Sequence, residues 1–391
     1  MPRTKLWYSS YGELRQKLDH LLDSFVKRCE QLSLKPGVVL QQASRDIIAR
    51  VVFESNWQEG IHLDQGRTKE LAEIVFEDFD RLPTPHIDFA AVLNHHRRQV
   101  LALKRKRATR EELAAYNLSA AHSALNWVMH ELADRQIASL ASAVRGFEAT
   151  YRANKNKMPP ETQKRIEEGF DTVRKICEDQ TAVWTPLTGN YQTQGEVYAA
   201  YLDSEFEKLL HPLRTSHIHF LHRLTMMGTY PTNRCGVFRK HGVHVDNPEI
   251  YFPPASAVPS LMDEFCREFP SVFATPKRDR ILSAARVSFS FVRIHPYLDG
   301  NGRLSRLLMN LVLGYEFPPI YIKADKKGRH RYSQALRRAD RGNLVPLACL
   351  ITLSLIEVFT KIIASISRPA ATSSNGNFTT PTASRIASKP Q

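Results

Sequence analysis

The stretch HPYLDGNGRLSR, His295 to Arg306, gathers a histidine, a carboxylate, two glycines around an asparagine and two arginines into a single loop and the turn that follows it. RLSRLLMNLVL has apolar residues at Leu304, Leu307, Leu308 and Leu311, the i, i+3, i+4, i+7 spacing of a helix. Arg303 and Arg306 then share one face of its first turn, at the positive end of the helix dipole, where cations are disfavoured unless an anion sits above them. Gly300 and Gly302 tolerate positive φ, so the backbone N–H groups of Gly300, Asn301 and Gly302 can point into one concave nest. A polyphosphate suits that arrangement better than a single carboxylate. Asp299 would be repelled by phosphate, which favours a role as ligand to a Mg2+ ion that bridges phosphate oxygens. His295 is the one group here that ordinarily titrates near neutrality, as a general base for a hydroxyl nucleophile must. The combination points to phosphoryl or nucleotidyl transfer. It is not a Walker A loop, because neither Lys-Ser nor Lys-Thr follows the second glycine.

The elements that must position this loop are mostly helical. In ATPKRDRILSAARVSFSFVRIHPY the pattern predicts a helix with Thr275 as N-cap and Pro276 as first residue, its apolar positions being Ile281, Leu282, Ala285, Phe289 and Val292. Pro296 disfavours the α conformation at His295, so the helix should stop there, with the histidine facing the loop. Strand-like alternation is concentrated in GVFRKHGVHVD, Gly236 to Asp246, and suggests a β-hairpin. Arg152 to Arg165 and Thr185 to Gly195 read as loops, and the Ser-, Thr- and Pro-rich stretch from Arg368 as a disordered tail.

With 391 residues, 42% of them hydrophobic and 24% charged, the chain can bury a sizeable core. Five scattered cysteines without a CxxC pair argue against structural zinc and for a reducing compartment. The first residues lack the apolar core of a secretory leader. Leu344 to Ile363 is apolar, but Pro346, Glu357 and Lys361 interrupt it, so a buried core helix is expected and no membrane partner. Localisation is read as intracellular and cytoplasmic, the nucleus being the alternative. The net charge of +14 permits an acidic partner. Its densest run, Lys104 to Arg107, is read as a solvated helical face rather than a nucleic-acid site, since Glu111 and Glu112 follow and no aromatic residues interleave. Trp127 and Trp184 are read as core.

HPYLDGNGRLSR resembles the signature of the Fic (filamentation induced by cAMP) family, HPFx(D/E)GNGRxxR, with Tyr297 in place of the usual Phe. The resemblance covers roughly Thr215 to Ile363. SHIHFLHRLTMM is similar to the family's helix before the flap, GVFRKHGVHVDNPEIYFPP to the flap hairpin, and RHRYSQALRRADRGNLVPL to the segment closing the nucleotide pocket. One departure is Ser288, where many relatives carry histidine. The resemblance implies an all-α fold with a small β-hairpin flap, and transfer of AMP from ATP to Ser, Thr or Tyr hydroxyls of target proteins. It implies His295 as the base, Asp299 as the Mg2+ ligand, and Gly300, Asn301, Gly302, Arg303, Leu304, Ser305 and Arg306 as the phosphate-binding stretch, with Tyr332 and Asp340 near base and ribose. It further implies a flap at Val243, His244, Val245, Asp246 and Asn247 that docks the target protein by strand addition.

SNWQEG, Ser55 to Gly60, resembles the family's inhibitory pattern (S/T)xxxE(G/N). Ser55 and Glu59 fall on one helical face, and Gly60 can end that helix in the left-handed conformation. Glu59 at the negative end of its helix calls for a cation, and the resemblance names Arg306. The same glutamate could position a water for removing AMP. The expected organisation is an N-terminal helical segment (1–43), an inhibitory helix region (44–71), a helical insertion and core-completing helices (72–214), a Fic catalytic core (215–365) and a disordered tail (366–391). Alternatives are a relative that transfers UMP, phosphate or phosphocholine, or a basic nucleic-acid-binding protein with an inactive Fic core. A homodimer is left open.

Overall fold

The computed structural model describes residues 10–82, 88–178, 213–243, 251–269, 279–314 and 317–367. Every regular element among them is helical. In chain order the helices are α1 (Tyr11–Gln31), α2 (Pro36–Gln58), α3 (Gln65–Asp80), α4 (Phe89–Arg105), α5 (Arg110–Asn154) and α6 (Pro160–Glu178). They are followed by α7 (Thr215–Met226), α8 (Val258–Glu268), α9 (Arg280–Ile294), α10 (Asn301–Leu313), α11 (Lys326–Asp340) and α12 (Val345–Ser367). Helix α10 lies at the centre, and all of its residues except Gly302 are buried. It packs most extensively on α9, and also touches α2, α5 and α7; α12 packs on α1, α9 and α11. One continuous core links α1, α5, α7, α9, α10 and α12.

The helix ends follow local chemistry. Ser10 with Glu13 and Thr109 with Glu112 form capping boxes at α1 and α5. Helix α2 ends in a Schellman motif: Gly60, at φ 73°, donates to the Trp57 carbonyl and Ile61 to that of Asn56, so Glu59 is the last residue before the turn. Helix α9 begins at Arg280, capped by the Asp279 carboxylate, which accepts from the N–H groups of Ile281 and Leu282 at 3.0 and 3.3 Å. This corrects the sequence-based start at Pro276; Thr275 and Pro276 lie outside the described residues. Tyr11 of α1 bonds the same carboxylate, tying the N-terminal helix to the base of α9.

Other expectations shift as well. The loop expected over Arg152 to Arg165 shrinks to a short connection, because α5 runs to Asn154 and α6 starts at Pro160, where proline is tolerated. The alternation at Gly236 to Val243 produces no strand: its backbone groups answer a side chain and a loop instead, with Gly236 N–H on His222 and Arg239 N–H on the Pro296 carbonyl. His244 to Asn247, the Thr185 to Gly195 loop, Trp184 and the tail from Arg368 lie outside the described residues, as does the side chain of Trp127. Helix α12 is long and apolar enough to cross a membrane, yet twelve of its residues are buried in the protein's own core. Lys104 to Arg107 are exposed.

Two fully buried histidines make the core acid-sensitive. Burial pushes His96, whose Nε2 bonds Asn117 Oδ1 at 2.9 Å, down to about 4, and His122 down to about 3. Both lie below the ordinary value of 6.5, so the folded state favours their neutral forms and their full contribution is present above that pH. It is lost as pH falls from 6.5 toward 4, at about 1.4 kcal/mol per pH unit for each histidine. Urea titrations at pH 7 and pH 5 should therefore show a clear drop in midpoint; equal midpoints would contradict the assignment.

Candidate active site

The loop from Pro296 to Gly300 joins two helices that pack side by side, and its conformation is set partly by its own residues. His295 is the C-cap of α9 and adopts φ 51° and ψ 57°, a left-handed conformation uncommon outside glycine. Asn301 braces the loop: its Oδ1 accepts the Tyr297 N–H at 3.0 Å and its Nδ2 donates to the Tyr297 carbonyl at 2.8 Å. The asparagine side chain thus belongs to the loop, and only its backbone is left for a ligand. Gly300 is the N-cap of α10 at φ 82°, with Met226 packed where a Cβ would lie. Helix α10 therefore starts without a side-chain cap, and its first N–H groups have no intrahelical acceptor.

His295 Nδ1 lies 3.2 Å from the Val292 carbonyl, which can only accept. The proton is thereby placed on Nδ1 and the lone pair on Nε2. Burial lowers the His295 pKa; the Val292 bond opposes this, and the nearby Arg239 charge adds to it. An imidazole held neutral at physiological pH, with one nitrogen free to take a proton, can act as a general base.

Arg303 is 2% exposed and donates from Nη2 to Asp299 Oδ1 at 3.4 Å, while its Nε and Nη1 are buried without a partner among the described residues. Buried unpaired donors cost about 1–3 kcal/mol, so these mark a position where an anion would be welcome. Asp299 Oδ1 also accepts the Gly300 N–H at 2.6 Å, and the carboxylate remains 35% exposed. Leu304 and Ser305 leave only their backbone for a ligand. Both side chains are buried, Ser305 Oγ donating to the Ser288 carbonyl at 2.9 Å with the two hydroxyls 2.8 Å apart. Ser288, the departure from the family pattern, is thus a packing contact.

Arg306 is buried and held by α2 and its C-cap. Its Nε donates to Ser55 Oγ at 2.8 Å, and its Nη2 to the Ser55 carbonyl at 2.9 Å and to Glu59 Oε1 at 2.7 Å. Burial works most strongly against the cation, but the charge and hydrogen bond of Glu59 together with Tyr332 outweigh it and hold Arg306 above the ordinary arginine value. The Glu59 carboxylate also lies directly on Gly302, in the space a Cβ would fill, so it covers the start of α10 as an anion would. Gly302→Ala should consequently lower the melting temperature by displacing Glu59 from Arg306. In a Glu59→Gly background the same change should cost less, and additive effects would contradict this contact. Tyr332, on α11, is buried with its ring centre 6.0 Å from the Arg306 guanidinium carbon. Asp340, expected near a ribose, pairs with Arg293 at 3.0 Å. Of the expected flap, only Val243 is among the described residues.

Three supporting residues escaped the sequence reading. His222 stacks on Tyr297 at 3.7 Å, donates from Nε2 to the Asp299 carbonyl at 3.0 Å and accepts the Gly236 N–H on Nδ1 at 2.7 Å. Burial pushes it down to about 3, so it stays neutral in that double role. His219 accounts for Tyr297 in place of phenylalanine: the buried hydroxyl meets His219 Nδ1 at 2.8 Å. Their i, i+3 spacing in SHIHFLHRL was the available signal. Arg239, which bonds the His295 carbonyl, had none.

The Fic/DOC family model matches residues 212–313. The chain is 35% identical over 133 residues to the protein adenylyltransferase Fic of Drosophila erecta, and 34% identical over 133 residues to that of Drosophila melanogaster. Each match spans 34% of this chain and 26% of the relative, so the chain aligns with about a quarter of the length of these curated relatives. Among solved structures it is similar to residues 134–508 of Fic-1 from C. elegans, with a TM-score of 0.49 and 17% identity, covering 90% of this chain and 71% of that one. A Fic-domain-containing signaling protein from Bacteroides thetaiotaomicron has the same TM-score and identity, covering 92% and 98%. The matched span, residues 212–313, contains the whole loop from His295 to Arg306, and over that span the chain is similar to the Fic/DOC family.

Proposed function

We propose that the protein is an autoinhibited adenylyltransferase that moves AMP from ATP to a hydroxyl of a target protein. The observation that carries this reading is the Glu59 carboxylate on Arg306 and Gly302, an internal anion occupying the arginine and helix start that an outer phosphate of ATP would need. The names of the Drosophila relatives support the reaction class. In the reaction the target O–H proton passes to His295 Nε2, the oxygen forms a bond to the α-phosphorus, and the bond to the β-bridging oxygen breaks to release pyrophosphate. The α10 N-terminus and the unpaired Arg303 nitrogens stabilise charge on the phosphates.

The residues fit a divalent cation shared with the nucleotide. Asp299 presents one partly exposed carboxylate, and Mg2+ is commonly held by one or two carboxylates plus substrate phosphates. Bound there, the ion would neutralise phosphate charge. Among the described residues no group of three His, Cys, Asp or Glu forms a cage for it, as such a shared site would not require.

The test incubates the wild type, Glu59→Gly and Glu59→Gly/His295→Ala with cell lysate and ATP labelled on either the α- or the γ-phosphate. Protein label from the α position alone, stronger in Glu59→Gly and absent without His295, is the expected result. Label from γ alone would replace the reading with kinase-like transfer.

A further inference from the structure

Arg239 is 2% exposed, and its described partners are all carbonyl oxygens. Its Nε donates to the His295 carbonyl at 2.7 Å, Nη1 to His241 at 3.1 Å, and Nη2 to Pro253 at 2.6 Å and Ile294 at 3.4 Å. Its backbone N–H reaches the Pro296 carbonyl at 2.9 Å. Burying a cation is costly, and packing alone would be served by a neutral side chain of similar shape. What this cation does is collect the last carbonyls of α9, at the negative end of that helix, together with the chain on either side of the flap.

The placement of these bonds is specific to His295. One residue holds the carbonyls on both sides of Pro296, the side chain taking that of His295 and the backbone that of Pro296. That fixes the left-handed conformation of His295, which persists only where its surroundings over-determine it. The bond to Pro253 holds the backbone next to Phe252, whose ring packs on the His295 imidazole at 4.1 Å. The imidazole is therefore set from its backbone and from one ring face by the same guanidinium.

We propose that Arg239 is the positioning residue for His295, holding its Nε2 in line with the reacting hydroxyl. This rests on the adenylyl-transfer reading. Misplacing a reacting group by about 1 Å can cost on the order of 100-fold in rate, so Arg239→Gln in the Glu59→Gly protein should lower turnover about 10- to 100-fold. Affinity for a fluorescent ATP analogue and cooperative melting should be retained. Arg239→Lys, able to reach only some of the carbonyls, should recover part of the loss.

The experiment measures label from α-labelled ATP, binding of the analogue and melting for the Glu59→Gly parent and both Arg239 variants. Turnover equal to the parent in either folded variant overturns the proposal. So does a loss of nucleotide affinity in proportion to turnover, which marks a general scaffold role. Should the glutamine variant not fold, the lysine variant decides by the same criteria. A parent that transfers no His295-dependent α-label overturns the adenylyl-transfer reading itself, and that outcome is visible before Arg239 is changed.

Discussion

Replacing Glu59 by glycine should raise AMP transfer about 10- to 100-fold. The range follows from the contact it removes: a hydrogen bond between charged groups contributes about 1.5–3 kcal/mol, and each 1.4 kcal/mol is a factor of ten. In the resting protein Arg306 has its three described bonds on Ser55 and Glu59, and the carboxylate covers the start of α10. Without it, the guanidinium and the N–H groups near Gly302 are open to phosphate oxygens. The same change should cost stability, because Arg306 keeps its burial and loses its counter-charge. Breaking a fully buried pair costs about 3–5 kcal/mol; with Glu59 27% exposed, a loss of roughly 1–3 kcal/mol is expected. ATP should restore much of it by binding only the folded state. The checks are the initial rate of α-label incorporation and melting curves with and without ATP. An unchanged rate in a variant that still melts cooperatively would sink the inhibitory reading.

His295→Ala in the Glu59→Gly protein should lower transfer by about 100- to 10,000-fold, the usual contribution of a positioned general base. Nucleotide affinity should hold, since the anion nest lies on α10 and not on the imidazole. The pH profile gives a second check. Burial holds His295 below the ordinary histidine value, so the acidic limb of the rate profile should lie below pH 6.5. The Glu59 charge acts in the opposite direction, raising the His295 pKa, so its removal should move the limb lower still. A limb above pH 6.5 would place the titrating group elsewhere.

Much of the active loop is legible in the chain because its physics is local. Pro296 ends a helix at His295, glycine at 300 admits φ 82°, and the arginines follow in the first turn of an amphipathic helix. The end of α2 is equally local: Gly60 closes a Schellman turn and leaves Glu59 one turn beyond Ser55. The shortfalls occur where local preference was overridden. Alternation at Gly236 to Asp246 predicted pairing, but in its described part the N–H groups of Gly236 and Arg239 answer His222 and Pro296 instead. Proline at 276 suggested a helix start that the Asp279 cap places later.

The sequence by itself determined the chemical inventory: a base, a carboxylate, an anion nest, paired cations and an acid upstream to answer one of them. Only the tertiary structure decided which groups are engaged. It brings Glu59 onto Arg306 across 247 positions of chain, leaves two Arg303 nitrogens unpaired, and sets His222 and Arg239 behind the loop. The reason is that helix caps, turns and apolar periods are written within a few residues, whereas the partners of a buried charge are chosen by whichever helices pack around it.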